Sequence, residues 1–186
     1  MTGRTWIGGI VGGIVLFIWG SIAHVATPLG EAGLSNLPNE EVVLEAMRAN
    51  ITQPGLYFFP GLDPARRNDE AAMKEWGAKA VRGPAGIMAF QVRGEAGLPP
   101  RLLITEFASN IAVGLLAAFV LSNIAGSLGF RAMTAGVIGL IAGTDIYVSY
   151  WNWYKFPADY TLAQMTIQVA GFLLMGAAIA AIAKKQ

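Results

Sequence analysis

Four long apolar stretches constrain this chain more than any other feature of its sequence. They cover residues 6–26, 102–126, 132–154 and 161–183. A hydrocarbon core of about 30 Å takes about 20 helical residues to cross, because an α-helix rises by about 1.5 Å per residue. Hydrophobic residues make up 54% of the chain and charged residues only 13%, a balance too apolar for a soluble domain of this length. The sequence therefore predicts an all-α bundle of four transmembrane helices.

The first apolar stretch has a second interpretation, because a basic residue before it and small residues near its end are also typical of a signal peptide. Its apolar run is longer than the usual core of a signal sequence. We therefore expect an uncleaved membrane anchor.

The predicted division of the chain follows from these stretches. Residues 1–26 are the first transmembrane helix, residues 27–101 an exported α+β domain, and residues 102–186 three further transmembrane helices. An exported domain without cysteine is acceptable when membrane helices anchor both of its ends, and the absence of cysteine excludes thiolate metal sites and thiol redox chemistry.

Residues 27–101 show two helix starts and two strand patterns. Asn39 precedes two acidic residues, which predicts a helix that ends near Asn50. Asp69 marks the start of a second helix, and residues 56–59 and 86–93 are typical of strands. The order predicts a β-α-β unit preceded by a helix.

The aromatic residues of this domain allow two interpretations. We favour an internal core, because so short a segment has few other large apolar side chains to bury. The alternative is an exposed apolar patch that docks another subunit. The residues concerned are Tyr57, Phe58, Phe59 and Trp76.

Basic residues beside the spans predict the orientation in the membrane. Cytoplasmic loops carry the excess of Lys and Arg, and the basic residues of a long exported segment have little effect on orientation. With both termini in the cytoplasm, only Lys155 lies in the short outer loop. The basic residues then on the cytoplasmic side are Arg4, Arg131, Lys184 and Lys185. We expect a multi-pass protein of the inner membrane whose N- and C-termini are cytoplasmic.

Small residues recur at helical spacing inside the spans. Such spacing lets the backbones of neighbouring helices approach closely, within one bundle or between subunits. The predicted packing glycines are Gly9, Gly13 and Gly20 in the first span and Gly139 and Gly143 in the third.

Polar residues within the spans mark the candidate functional site. On the predicted topology they all lie in the outer half of the bilayer, where they could line one pocket that opens outward. Ionisable groups in hydrocarbon are costly and usually face a partner or a water-filled cavity. The six residues are His24, Glu106, Asn110, Asp145, Gln164 and Gln168.

The chemistry of this pocket is left open by the sequence. One imidazole with carboxylates could relay protons or bind a metal, but no tight ligand spacing supports a metal site. The plainer interpretation is that Glu106 and Asp145 pair with His24, Tyr147 or the amides and stabilise helix packing or the domain junction. We therefore predict neither a catalytic residue nor a metal ligand here.

Other functional classes lack their motifs. The chain has no phosphate-binding glycine loop, no nucleophile elbow and a single histidine, so paired-histidine haem ligation within one chain is excluded. A net charge of +1 gives no reason to expect nucleic acid. No cofactor is predicted.

Three functions remain, and the first is favoured. It is a non-catalytic accessory or assembly subunit of a larger membrane complex, with membrane lipid and other membrane subunits, or a second copy of itself, as partners. The second is a membrane protein that binds a small molecule, an ion, a lipid or a quinone in the polar pocket. The third is an enzyme that acts there on a lipid or a quinone.

Overall fold

The computed structural model describes residues 2–183, and Lys184 and Lys185, which the orientation argument uses, lie outside that range. The chain divides into two compact units. One comprises Met1–Leu34 together with Ala96–Gln186, and the other comprises Ser35–Glu95. We call the first the helical bundle and the second the inserted unit.

Within residues 2–183, four helices are long and apolar enough to cross a membrane, as the sequence predicts. Their bounds are Gly3–Val25 for α1, Pro100–Ser122 for α4, Leu128–Tyr154 for the third span and Ala158–Ile182 for α7. The third span comprises α5 (Leu128–Gly143), a π-helical segment (Thr144–Val148) and α6 (Ser149–Tyr154). The side chains of Thr2 and Ser127 cap α1 and α5 by accepting backbone N–H bonds.

Helix α7 lies at the centre of the bundle and packs against α1 and α5, while α4 packs mainly against α1. The residues that α7 buries are small or aliphatic, as close packing of helices in a membrane requires. They include Ala163, Gly171, Gly176 and Ile179.

The glycines of α1 allow two neighbouring helices, α4 and α7, to approach it closely. A Cβ on Gly9 would lie 2.9 Å from the Cα of Leu115, and one on Gly13 would lie 2.6 Å from the Cα of Ile111, both in α4. On another side of α1, a Cβ on Gly12 would lie 2.7 Å from Ile179 in α7. Any side chain at these positions would push the helices apart.

Not every predicted packing glycine takes part in close packing. In the third span, a Cβ on Gly139 would lie 2.7 Å from Phe172, and one on Gly143 would be in ordinary contact with Gln168 at 3.6 Å. Gly20 differs, because no heavy atom outside its own helix lies within 4 Å of where its Cβ would be. The spacing of four and seven residues groups Gly20 with the others, but the face of α1 that carries Gly20 has no close neighbour at this point.

The two ends of the bundle are built differently. The apolar core lies at the end that carries Arg131, and its fully buried members include Ala118, Leu121, Met175 and Ile179. We call this the Arg131 end and the opposite one the His24 end.

Arg131 is itself inside the bundle, only 3% exposed, although the sequence suggested no more than a flanking basic residue. Its Nε donates to the backbone oxygen of Leu121 at 3.2 Å and its Nη1 to that of Ala183 at 2.7 Å. Leu121 lies in the last turn of α4 and Ala183 directly follows α7, where carbonyls have no partner within their own helix. The oxygen of Leu121 also accepts the backbone N–H of Ile124 at 3.3 Å. One guanidinium therefore ties together the ends of two helices.

The inserted unit contains the four elements that the sequence predicts. They are α2 (Glu40–Asn50), β1 (Gly55–Phe59), α3 (Glu70–Arg82) and β2 (Gly86–Phe90). The two strands pair antiparallel, with Tyr57 opposite Met88, so the unit is not the parallel crossover that a β-α-β order usually forms.

The helix caps and aromatic residues of the inserted unit agree with the sequence predictions only in part. Asp69 caps α3 by accepting from the backbone N–H of Ala72, whereas Asn39 has a left-handed φ of 49° and its side chain makes no cap bond. Trp76 is half-buried and donates from Nε1 to the backbone oxygen of Pro60 at 2.8 Å. Phe58 is 51% exposed, so the predicted aromatic core is wrong for this residue.

Candidate functional site

A cavity of about 350 Å³ opens at the His24 end of the bundle, and all four spans contribute to its wall. We call it the polar cavity. It is lined by Leu16, Trp19, Gly20 and His24 from α1, by Glu106, Ser109, Asn110 and Val113 from α4, by Tyr147 from the third span, and by Gln164, Ile167, Gln168 and Phe172 from α7.

The structure brings five of the six predicted polar residues together in this cavity, namely His24, Glu106, Asn110, Gln164 and Gln168. They converge because each helix repeats its inward face every three or four residues. Gly20 and His24 follow this spacing in α1, and Gln164 and Gln168 follow it in α7. Gly20 thus lines a cavity instead of packing against a helix, which explains the empty space around it.

His24 is held at the mouth of the cavity by the chain that follows α1. Its Nδ1 lies 2.9 Å from the backbone oxygen of Gly20, and since a carbonyl can only accept, Nδ1 is the donor of this bond. In the corresponding tautomer of the imidazole, Nε2 is an acceptor. The chain turns back directly after the helix, and a Cβ on Gly30 would collide with the backbone of His24, so this tight turn requires glycine.

Glu106 is fixed by Asn110, one helical turn further along α4. The buried Nδ2 of Asn110 donates to the backbone oxygen of Glu106 at 2.8 Å and to its Oε1 at 2.7 Å. Both hydrogens of the amide are used in these bonds, which leaves Oδ1 of Asn110 and Oε2 of Glu106 as acceptors. Glu106 forms no ion pair with any residue between 2 and 183.

The opposite wall is formed by α7. The side chains of Gln164 and Gln168 are half-buried and form no hydrogen bond within the described part of the chain. Trp19 packs beside them, and its Nε1 donates to the backbone oxygen of Ile167 at 2.9 Å, which fixes the indole ring. This wall therefore combines two adaptable amides with a rigid aromatic surface.

Sequence reasoning named Tyr147 only as a possible partner of the carboxylates, and it missed other residues of the cavity. Tyr147 follows the predicted packing residue Gly143 by four residues, so the two share a helix face. Phe172 follows Gln168 at the same spacing. Trp19 had no such signal, because its neighbour Gly20 was assigned to helix packing.

Asp145, the sixth predicted polar residue, does not line the cavity with the other five, and its side chain is exposed. It follows Gly143, which faces α7, by two residues, and residues two apart on a helix point to opposite sides. It also lies within the π-helical segment, and short π segments in helices occur frequently at functional sites. Among residues 2–183, Asp145 has no hydrogen-bond or ion-pair partner.

A larger concavity, of about 650 Å³, lies in the inserted unit beside Phe59, Pro60 and Pro84. It is open, and its basic residues are Lys79 and Arg82. Lys79 already pairs with Glu75 at 2.9 Å across one helical turn. We therefore assign no role to this surface.

Comparisons with protein-family models, with curated proteins and with solved structures find no match for this chain. Function has to be inferred from the chemistry of the bundle. Two features stand out there: a polar cavity with one carboxylate, and a second carboxylate on the outer face of the third span. Within residues 2–183, no group of three His, Cys, Asp or Glu side chains is arranged to hold a metal ion.

Proposed function

We propose that this protein is a non-catalytic subunit of a larger membrane complex and that it contacts its partner through the face of the third span that carries Asp145. The observation that carries the proposal is the exposed, unpaired carboxylate of this residue. Nine residues separate it from Tyr154, which ends the span.

The depth of Asp145 makes its exposure costly. Nine residues correspond to about 13 Å along the helix, and the span of 27 residues exceeds the hydrocarbon core by only about 5 Å at either end. Asp145 therefore lies within the hydrocarbon region. An aspartate at such a position costs about 2.5–3.5 kcal/mol on insertion scales and is typically paired.

The partner that fits is a membrane-spanning helix that places a basic side chain at the same depth. A second copy is disfavoured when the two Asp145 side chains would meet, because like charges repel in a medium of low dielectric constant. Charge complementarity thus favours a different protein, although a homo-oligomer formed through another face is compatible with the fold.

We further propose that the complex lies in an inner membrane, with the inserted unit outside the cytoplasm and both termini inside it. The basic residue Arg4 and the position of Arg131 support this orientation. The test uses single cysteines at Asn68 and Gln186, because the chain has no cysteine of its own. An impermeant maleimide should label position 68 and not position 186 in spheroplasts, and the reverse pattern would contradict the orientation.

The subunit role is tested by native purification in mild detergent and mass spectrometry of co-purified proteins. We expect a stoichiometric membrane protein partner, retention reduced by about threefold in Asp145→Asn, and a larger loss in Asp145→Leu. The matched control is Glu106→Gln, which makes the same chemical change in a carboxylate of the polar cavity. Purification of a monomer without partners, or equal effects of Asp145→Asn and Glu106→Gln, would contradict the proposal.

A further inference from the structure

The polar cavity contains one acidic side chain. Of its described lining residues only Glu106 has a carboxyl group, and none is a lysine or an arginine. The nearest basic group in the wall is the imidazole of His24, which forms no ion pair with Glu106 within the described chain. An uncompensated carboxylate at the rim of the hydrocarbon region attracts a counter-cation.

The other polar groups of the cavity are suited to the same kind of ligand. Oε2 of Glu106, Oδ1 of Asn110 and Nε2 of His24 are free acceptors. The two glutamines can add their carbonyl oxygens, because neither amide is engaged. An alkylammonium group carries three N–H donors and no acceptor, so it complements this arrangement.

The volume of the polar cavity and the apolar part of its wall suit a larger ligand than a bare metal ion. About 350 Å³ corresponds to roughly twelve water molecules at about 30 Å³ each, far more space than a metal ion requires. Trp19 and Phe172 provide aromatic surface for an apolar body, and tryptophan is the aromatic side chain that attracts cations most strongly. The ligand should therefore combine a cationic head with a small apolar body.

We propose that the polar cavity binds a small organic ammonium ion, with its N–H groups on Glu106 and its apolar body between Trp19 and Phe172. This site is independent of the contact at Asp145, so either assignment can fail without the other. Anions of the same shape are poor ligands, because the described wall of the cavity offers them no lysine or arginine. Neutral molecules of the same shape are poor ligands because they leave the carboxylate of Glu106 without a counter-charge.

The test is a titration of the full-length protein in mild detergent at pH 7 with benzylammonium, benzyl alcohol and benzoate, followed by calorimetry. These probes share one ring and differ in charge. We expect saturable binding of benzylammonium and affinities at least tenfold weaker for the other two. No saturable binding of benzylammonium, or equal affinity for benzyl alcohol, would overturn the proposal.

Two variants locate the binding. Glu106→Gln should weaken benzylammonium binding at least tenfold, whereas Asp145→Asn, the same change outside the cavity, should leave it unchanged. Gly20→Leu should also abolish binding, because the space above Gly20 is part of the cavity and the new side chain meets no neighbouring helix. If Glu106→Gln fails to fold, Gly20→Leu still decides the matter, and binding that survives it overturns the site.

Discussion

Asn110 holds Glu106 at two points through a single amide nitrogen. Nδ2 lies 2.8 Å from the backbone oxygen and 2.7 Å from Oε1 of the glutamate, while Asn110 itself is 8% exposed. Glu106 is exposed by comparison and would otherwise be free to change rotamer. The buried amide therefore determines the position of the only carboxylate among the described residues that line the polar cavity.

This relationship predicts that Asn110→Ala and Glu106→Gln are energetically coupled. Each single change removes or weakens the same hydrogen bond, so the double variant should be less destabilised than the sum of the singles by about 1 kcal/mol. The measurement is a double-mutant cycle of unfolding free energies in detergent. Additivity of the two changes would mean that the bond contributes nothing to stability.

His24 and Asp145 should behave as independent positions. Asp145 is exposed outside the polar cavity, whereas His24 lines it, so their effects on stability should add to within about 0.5 kcal/mol. The same unfolding measurements on His24→Ala, Asp145→Asn and the double variant test this. A coupling of more than about 1 kcal/mol would place Asp145 in the cavity after all.

Gly13 and Gly20 should respond oppositely to the same substitution. Gly13→Ala puts a Cβ 2.6 Å from the Cα of Ile111, so helix α1 must move away from α4, at a cost of about 1–3 kcal/mol. Gly20→Ala meets no atom within 4 Å and gains helix propensity of about 1 kcal/mol. Thermal unfolding in detergent should show a lower midpoint for the first variant alone. Equal tolerance of the two substitutions would mean that α1 and α4 are further apart at Gly13 than the 2.6 Å contact implies.

Arg131→Leu should destabilise the Arg131 end of the bundle. It leaves the backbone oxygen of Ala183 without the donor that now reaches it and leaves that of Leu121 only the backbone N–H of Ile124, at 3.3 Å. A buried acceptor without a donor costs about 1–3 kcal/mol. Arg131→Lys should cause an intermediate loss of stability, because one ammonium group cannot reproduce the planar, forked arrangement of donors in the guanidinium. Unfolding free energies in detergent provide the measurement, with the exposed Arg4→Leu as the control. A neutral result at Arg131 would show that the two helix ends are satisfied in another way.

Acid should weaken helix α3 of the inserted unit through Asp69. The backbone N–H of Ala72, with additional help from Arg66, holds the pKa of this carboxyl below its ordinary value. A lowered pKa in the folded state means that the carboxylate stabilises the fold fully at neutral pH and loses this effect below about pH 4.

Hydrogen exchange of the amides in residues 70–82 measures this effect. Exchange should accelerate in the wild type between neutral pH and pH 3, after correction for the intrinsic rates, and Asp69→Ala should be faster at neutral pH and change less. The control is Glu45→Gln in α2, which should leave α3 unaffected. The same acid response in Asp69→Ala as in the wild type would rule out Asp69 as its source.

The spans and the elements of the inserted unit could be predicted because their signals are local. Runs of apolar residues determine how much chain crosses a membrane, and the N-cap Asp69 and the alternation of residues 86–90 act over a few residues. Even the convergence of Glu106 with Asn110 follows from helical spacing. These properties depend on residues that are close in the sequence and hardly at all on the tertiary fold.

Only the tertiary structure decided which neighbour each helix face meets. Gly13 and Gly20 share a sequence pattern, yet one touches α4 and the other opens a cavity, because helices diverge along their length. Arg131 resembles a flanking charge and is instead buried against two helix ends. The reason is physical: spacing specifies a face, but packing across residues distant in the chain specifies what that face contacts.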